Sequence, residues 1–289
     1  MIDADDLLSW ITGLYWGAML LMLGILLLVV FKAVPKGQRR WPALLVGVAV
    51  PALFIVPVVQ RLHQAKQQHD ERQARYLEAK AVFEEQCKTA GEKIYRTVEG
   101  VEGVMLLKVR DNSPGKTYYS ESMQDQMWPD AAAWDHPGKA YIESFLRTGA
   151  NLHNTEKDRG YLYADVLQQD GSIVRYSEAG GKSLVLVEAK NPSNPARYAV
   201  TYTNNVDPAL RKYWIAGTTI QIIDQQKNEL LAEKTVFVFD SGRGVTSGGS
   251  YPWRRTATKI CPDEPFEPDR MTHVFVAKVL TSIFANPSK

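Results

Sequence analysis

The chain has little of what usually announces chemistry. Two cysteines, Cys87 and Cys261, exclude a cysteine-rich metal cluster and a C-x-x-C redox pair. There is no G-x-S-x-G elbow, no Walker loop and no H-E-x-x-H, so the local signatures of α/β-hydrolases, P-loop NTPases and zinc proteases are missing. Five histidines are dispersed at 63, 69, 136, 153 and 273. His63 and His69 miss the i, i+4 spacing of a helical metal pair, and no catalytic, metal or cofactor residue is assigned. Neither sign of charge dominates: 34 Lys and Arg against 32 Asp and Glu leave a formal +2, too weak a field to recruit nucleic acid. Glu188 and Asp224 are lone carboxylates with no partner at a readable spacing.

What the sequence does have, at its start, is two long apolar runs, residues 7–31 and 41–60, each free of charged side chains. A helix rising ~1.5 Å per residue needs ~20 apolar residues to cross ~30 Å of hydrocarbon, so residues 1–60 are expected to form a transmembrane α-hairpin. The N-tail lacks the basic n-region and the A-x-A-like site of a cleavable signal, which makes the first run a retained helix. Lys32, Lys36, Arg39 and Arg40 fill the connection. The positive-inside rule puts them in the cytoplasm, and the expected placement is a bacterial inner membrane, multi-pass, with the C-terminal domain in the periplasm and the lipid bilayer as a partner. Arg61, Lys66, Arg72 and Arg75 after the second run bring the charge count close to a tie.

The cysteines bear on the same question. A pair spaced this widely is no metal motif, whereas in an oxidising compartment Cys87 and Cys261 make a candidate disulfide joining the domain's beginning to its end. Such a closure is worth ~5 kcal/mol in the chain-entropy treatment. The alternative is two unrelated buried thiols.

Residues 61–91 are rich in Gln, Ala, Lys, Glu and Arg, with no Pro, and no Gly before Gly91, which predicts a helical stalk. From 92 to 289 the texture is that of an extracytoplasmic α+β domain. Strands are expected over 104–109, 161–167, 173–176, 184–187, 197–203, 213–224 and 230–239, with one helical turn opened by Pro208 and a C-terminal helix over 269–284. Alternation at Thr219, Gln221 and at Val236, Val238 predicts a mainly antiparallel β-sheet. Residues 111–138 read as a surface excursion pinned by Tyr118, Tyr119, Trp128 and Trp134.

The most distinctive segment is 241–255, where four glycines accompany several arginines and aromatics. Glycines let a backbone approach a ligand, and arginines suit carboxylate or phosphate. Arg243, Tyr251, Trp253, Arg254 and Arg255 are therefore a candidate binding loop. A plainer possibility is a long connection tacked down by Tyr251 and Trp253.

The stretch from Phe83-Glu84-Glu85-Gln86-Cys87 to Tyr95-Arg96-Thr97-Val98, then Val101-Glu102-Gly103-Val104, Lys212-Tyr213-Trp214-Ile215-Ala216-Gly217, Ser247-Gly248-Gly249 and Pro252-Trp253, resembles uncharacterised proteobacterial inner-membrane proteins with an N-terminal two-helix anchor. The resemblance implies a coherent domain over 83–261 and carries no activity. The expectation is a membrane-anchored bacterial envelope protein, non-enzymatic, presenting a periplasmic protein-binding domain, with an immunity factor as one specific form. An envelope enzyme with a site invisible in sequence and a membrane assembly scaffold acting through the hairpin are the alternatives.

Overall fold

The computed structural model describes residues 17, 24, 25, 28, 32, 40–110, 125–133, 135–147, 160–179, 185–244, 253, 258–263 and 271–284, with backbone alone over 40–55 and at 258. Among them the chain is α+β, with four helices and eleven strands. It divides into two compact units, Met1–Arg75 and Tyr76–Lys289.

In the first unit the dominant element is the opening part of helix α1, Arg40–Cys87. No strong breaker interrupts its polar half, and the prolines at 51 and 57 do not end it. The second apolar run is therefore not a span that closes at Gln60 but the start of a 48-residue helix whose side chains from Leu62 to Arg75 are exposed and mostly polar. Among the described residues no helix is long and apolar enough to cross a membrane, which overturns the expected transmembrane hairpin and the multi-pass inner-membrane placement. The first run, apart from the exposed helical residues Gly17, Gly24, Ile25 and Leu28, lies outside the described residues.

The second unit is built on a nine-stranded sheet. Its strands are β1 (Gly91–Ile94), β3 (Gly103–Leu106), β4 (Tyr163–Leu167), β5 (Ile173–Ala179), β6 (Val185–Lys190), β7 (Tyr198–Asn205), β8 (Ile215–Asp224), β9 (Glu229–Asp240) and β10 (Thr258–Cys261). The order is β1-β9-β8-β7-β3-β4-β5-β6, with β10 also paired to β9. A separate parallel pair joins β2 (Val98–Val101) to β11 (Leu280–Ser282). The sheet is mixed rather than mainly antiparallel, because central β3 runs parallel to both β4 and β7. The reason is visible in β3 itself: all four of its residues are buried, the mark of a strand covered on both faces and reached by crossovers.

Period-two alternation sorts the side chains to two faces. Helices α2 (Lys139–Leu146) and α4 (Met271–Val279) cover one, packing Tyr141, Phe145, Phe275 and Val276 on Val104, Leu106, Val200, Ile220, Val236 and Val238. Each large apolar side chain so buried contributes roughly 1.5–3 kcal/mol by transfer from water. On the other face, Phe237 and Phe239 meet the last turns of α1, where Tyr76, Ala79 and Phe83 recur at helical spacing. The Phe83 and Tyr76 rings lie 5.6 and 6.0 Å from that of Phe239. Cys87 and Cys261 are joined by the expected disulfide, with a sequence separation of 174, and this ties the end of α1 to β10.

Candidate functional site

The candidate loop leaves β9 at Asp240, a buried aspartate in an otherwise apolar strand end. Its two carboxylate oxygens accept the backbone N–H groups of Gly242 and Gly244, each at 3.0 Å, and the Arg243 N–H donates to its carbonyl at 2.9 Å. Gly244 sits at φ 78, and a Cβ there would lie 2.4 Å from the Trp214 indole, so the position admits only glycine. Trp214 is tied to the same strand end, its carbonyl accepting the Asp240 N–H at 2.9 Å.

Behind this turn stands the short helix α3, Pro208–Arg211. Asp207 caps it by accepting the Ala209 N–H at 2.9 Å, with Pro208 preset for the first helical position. That geometry drives Arg211 into the interior, where its side chain is fully buried. Nη2 donates to the Asn205 carbonyl at 3.1 Å, while among the described residues Nε and Nη1 have no hydrogen-bond partner. Among the described residues no carboxylate pairs with it. Burial pushes the Arg211 guanidinium down to about 10, against the weaker opposing field of Asp125, so it remains a cation at neutral pH.

Trp253 lies with its ring centre 5.1 Å from that guanidinium and 5.2 Å from the Trp214 ring. It too is fully buried, and its indole N–H donates to the Asp125 carbonyl at 3.1 Å. The Gln126 amide donates to the Arg211 carbonyl. Among the described residues five that are not glycine have positive φ: Asn191, Trp214, Asn228, Arg243 and Trp253. The two asparagines tolerate this conformation, and the other three all gather at this corner, at about 1–3 kcal/mol of strain apiece.

Of the five loop candidates, the structure brings Arg243 and Trp253 to the corner, while Tyr251, Arg254 and Arg255 lie outside the described residues. Trp253 is an anchor with its ring inside, whereas Arg243 and Trp214 are half-buried at the rim. Sequence reasoning missed Arg211, Trp214 and Asp240. Asp240 followed by Ser-Gly-Arg-Gly carries an Asx-turn signal that could have located the turn, but nothing local marks Arg211 as buried.

A second buried arginine provides a reference. Arg110 donates from Nε to Asp135 at 3.3 Å and from Nη1 to Asn204 at 3.1 Å, with Asp130 at 3.5 Å. Asp135 also accepts the Thr272 N–H and hydroxyl at 2.8 and 2.6 Å, so its charge is shared between a cation and a helix start. The lone carboxylate Asp224 proves structural. Arg197 grips it bidentately at 2.9 and 2.6 Å, Arg96 approaches to 3.3 Å, and the Arg197 hydrogen bonds, helped by the backbone N–H groups of Lys227 and Gln226, hold its carboxyl down at about 2. Glu188 is exposed on β6.

Chemically, the corner offers a desolvated positive charge, two free donors and aromatic walls, an arrangement suited to holding a carboxylate. Among the described residues no three His, Cys, Asp or Glu side chains group to hold a metal. Comparison with known proteins finds no matching family model, no matching curated protein and no matching solved structure.

Proposed function

We propose that the unit Tyr76–Lys289 is a protein-recognition domain that acts by binding, and that the corner of Arg211, Trp214, Arg243 and Trp253 receives an acidic side chain of a partner protein. The observation that carries this is the buried charge of Arg211, which pairs with no carboxylate among the described residues and feels only the weaker field of Asp125. A buried cation with no paired carboxylate among the described residues is costly by several kcal/mol, and a methionine of similar length would avoid that cost. Three strained residues gather beside it. Strain and unpaired charge in one place suit a site completed from outside, with the half-exposed Trp214 and Arg243 as its rim. The Cys87–Cys261 disulfide supports an oxidising working compartment.

A photo-crosslinking residue placed at Arg243 tests this in cells of the source organism. The expected result is one specific protein adduct that disappears on Arg211→Met while the variant stays folded. An adduct equally abundant with Arg211→Met would sink the assignment of the corner.

A further inference from the structure

The far edge of the sheet is built differently from the corner. In β6 the register to β5 pairs Arg175 with Ala189, Ser177 with Val187 and Ala179 with Val185. The Asn191 N–H donates to the Ile173 carbonyl at 2.7 Å just beyond the strand. In an antiparallel ladder bonded pairs alternate with non-bonded ones, so Val185, Val187 and Ala189 spend their main-chain groups on β5. Leu186, Glu188 and Lys190 therefore turn their N–H and C=O groups outward. Among the described residues no strand pairs with that side. No proline and no bulge interrupts β6, and Val185 and Val187 are 55% and 48% exposed. Proline and a bulge, two of the usual protections against pairing, are absent here, and the charges on the strand are Glu188 and Lys190 toward its end.

We propose that a second copy of this chain occupies it, with β6 pairing antiparallel to β6 of the other copy about a two-fold axis at Val187. The outward bonding groups fix the parity of the register, and side chains select among the registers that remain. Centring on Glu188 sets two carboxylates directly opposite, which is unfavourable. Centring on Ala189 brings Pro192, which has no N–H, against Leu186, and Asn191, at φ 47, against Val187. Centring on Leu186 pairs only Val185 to Val187 among the described residues. Centring on Val187 keeps every residue from Val185 to Ala189 paired: Leu186 and Glu188 of the two copies exchange backbone hydrogen bonds, Val187 meets Val187, and Val185 meets Ala189. The exposed apolar side chains of both copies then join on one face. With a net charge of only +2, copies repel one another weakly. Contact confined to one short edge falls below the ~1,200 Å² of a standard stable interface, so association is expected at about micromolar strength.

Sedimentation of the full chain over a concentration series should show a reversible monomer–dimer equilibrium. Val187→Lys sets two ammonium groups face to face at the centre and should weaken dimerisation at least ~10-fold, with circular dichroism unchanged because the side chain is half-exposed. Val187→Cys should link to its counterpart under mild oxidation, because non-bonded antiparallel pairs have the close Cα approach a disulfide needs, whereas Glu188→Cys, facing Leu186, should link far more slowly. A chain monomeric at every concentration, a dimer indifferent to Val187→Lys, or equal linking by both cysteine variants would each overturn the proposal.

Discussion

Arg110 and Arg211 are the same residue type at nearly the same burial, 3% and 0% exposed, and each lies against an aromatic ring. Around Arg110 the fold has assembled Asp135, Asp130 and Asn204. Around Arg211 the described residues supply a backbone carbonyl, two tryptophans and only the weaker field of Asp125, which does not pair with it. The first charge is balanced within the molecule and works as a bolt between the sheet and the start of α4. The second has no paired carboxylate among the described residues. Burial alone therefore does not say whether a charge serves the fold or something outside it, and the number of opposite charges in reach does.

The sharpest way to break this contrast is to make Arg110 resemble Arg211. Asp135→Ala strips its closest counter-charge and the cap on Thr272, and should cost about 3–5 kcal/mol in urea unfolding. A loss under about 1 kcal/mol would mean that the two arginines are equally unsupported. Next in size is Arg211→Met, which removes a buried charge paired with no carboxylate among the described residues. Stability should hold or rise by about 1–2 kcal/mol, read as a higher urea midpoint at unchanged slope, and a drop of ~3 kcal/mol would show that Arg211 has support of its own. The smallest effect uses the best-paired carboxylate. Asp224 titrates near 2 when folded against an ordinary 3.8, so its contribution is complete above about pH 4 and is lost as pH falls through 2. Arg197→Met should flatten the acid limb of the stability curve across that window, and Arg211→Met should leave it unchanged.

Much of the frame was legible in the chain. Period-two alternation marked the long strands β8 and β9, Pro208 marked its turn, and two cysteines alone in the chain marked their bond. Where the chain misled, long-range pairing decided the outcome. Val104 to Leu106 is apolar whatever the direction of its neighbours, and only the crossover through α2 makes β3 parallel to β4. The apolar residues 41–60 fix a helix but not its end, which lies at Cys87 because nothing between stops it. The candidate site was half legible. Arg243 and Trp253 stand out in a glycine-rich loop, but Arg211 sits in Pro-Ala-Leu-Arg-Lys-Tyr-Trp, which locally reads as an exposed turn. Its burial comes from Trp253, far along the chain, and no local pattern encodes that.

The Cys87–Cys261 bond also changes what kind of object the second unit is. Residues 87 to 261 form a closed covalent ring, from which α1 enters on one side and α4 hangs on the other. Cutting a single peptide bond inside the ring opens it without dividing the molecule, and every strand from β1 to β10 stays attached to its neighbours through one end or the other. The candidate loop, the paired arginine and the exposed β6 edge all lie within that ring. Helix α4, which packs with α2 on one face of the sheet and carries Thr272, bonded to Asp135, does not. One nick can therefore shed the lid of the core while the sheet survives nicks of its own.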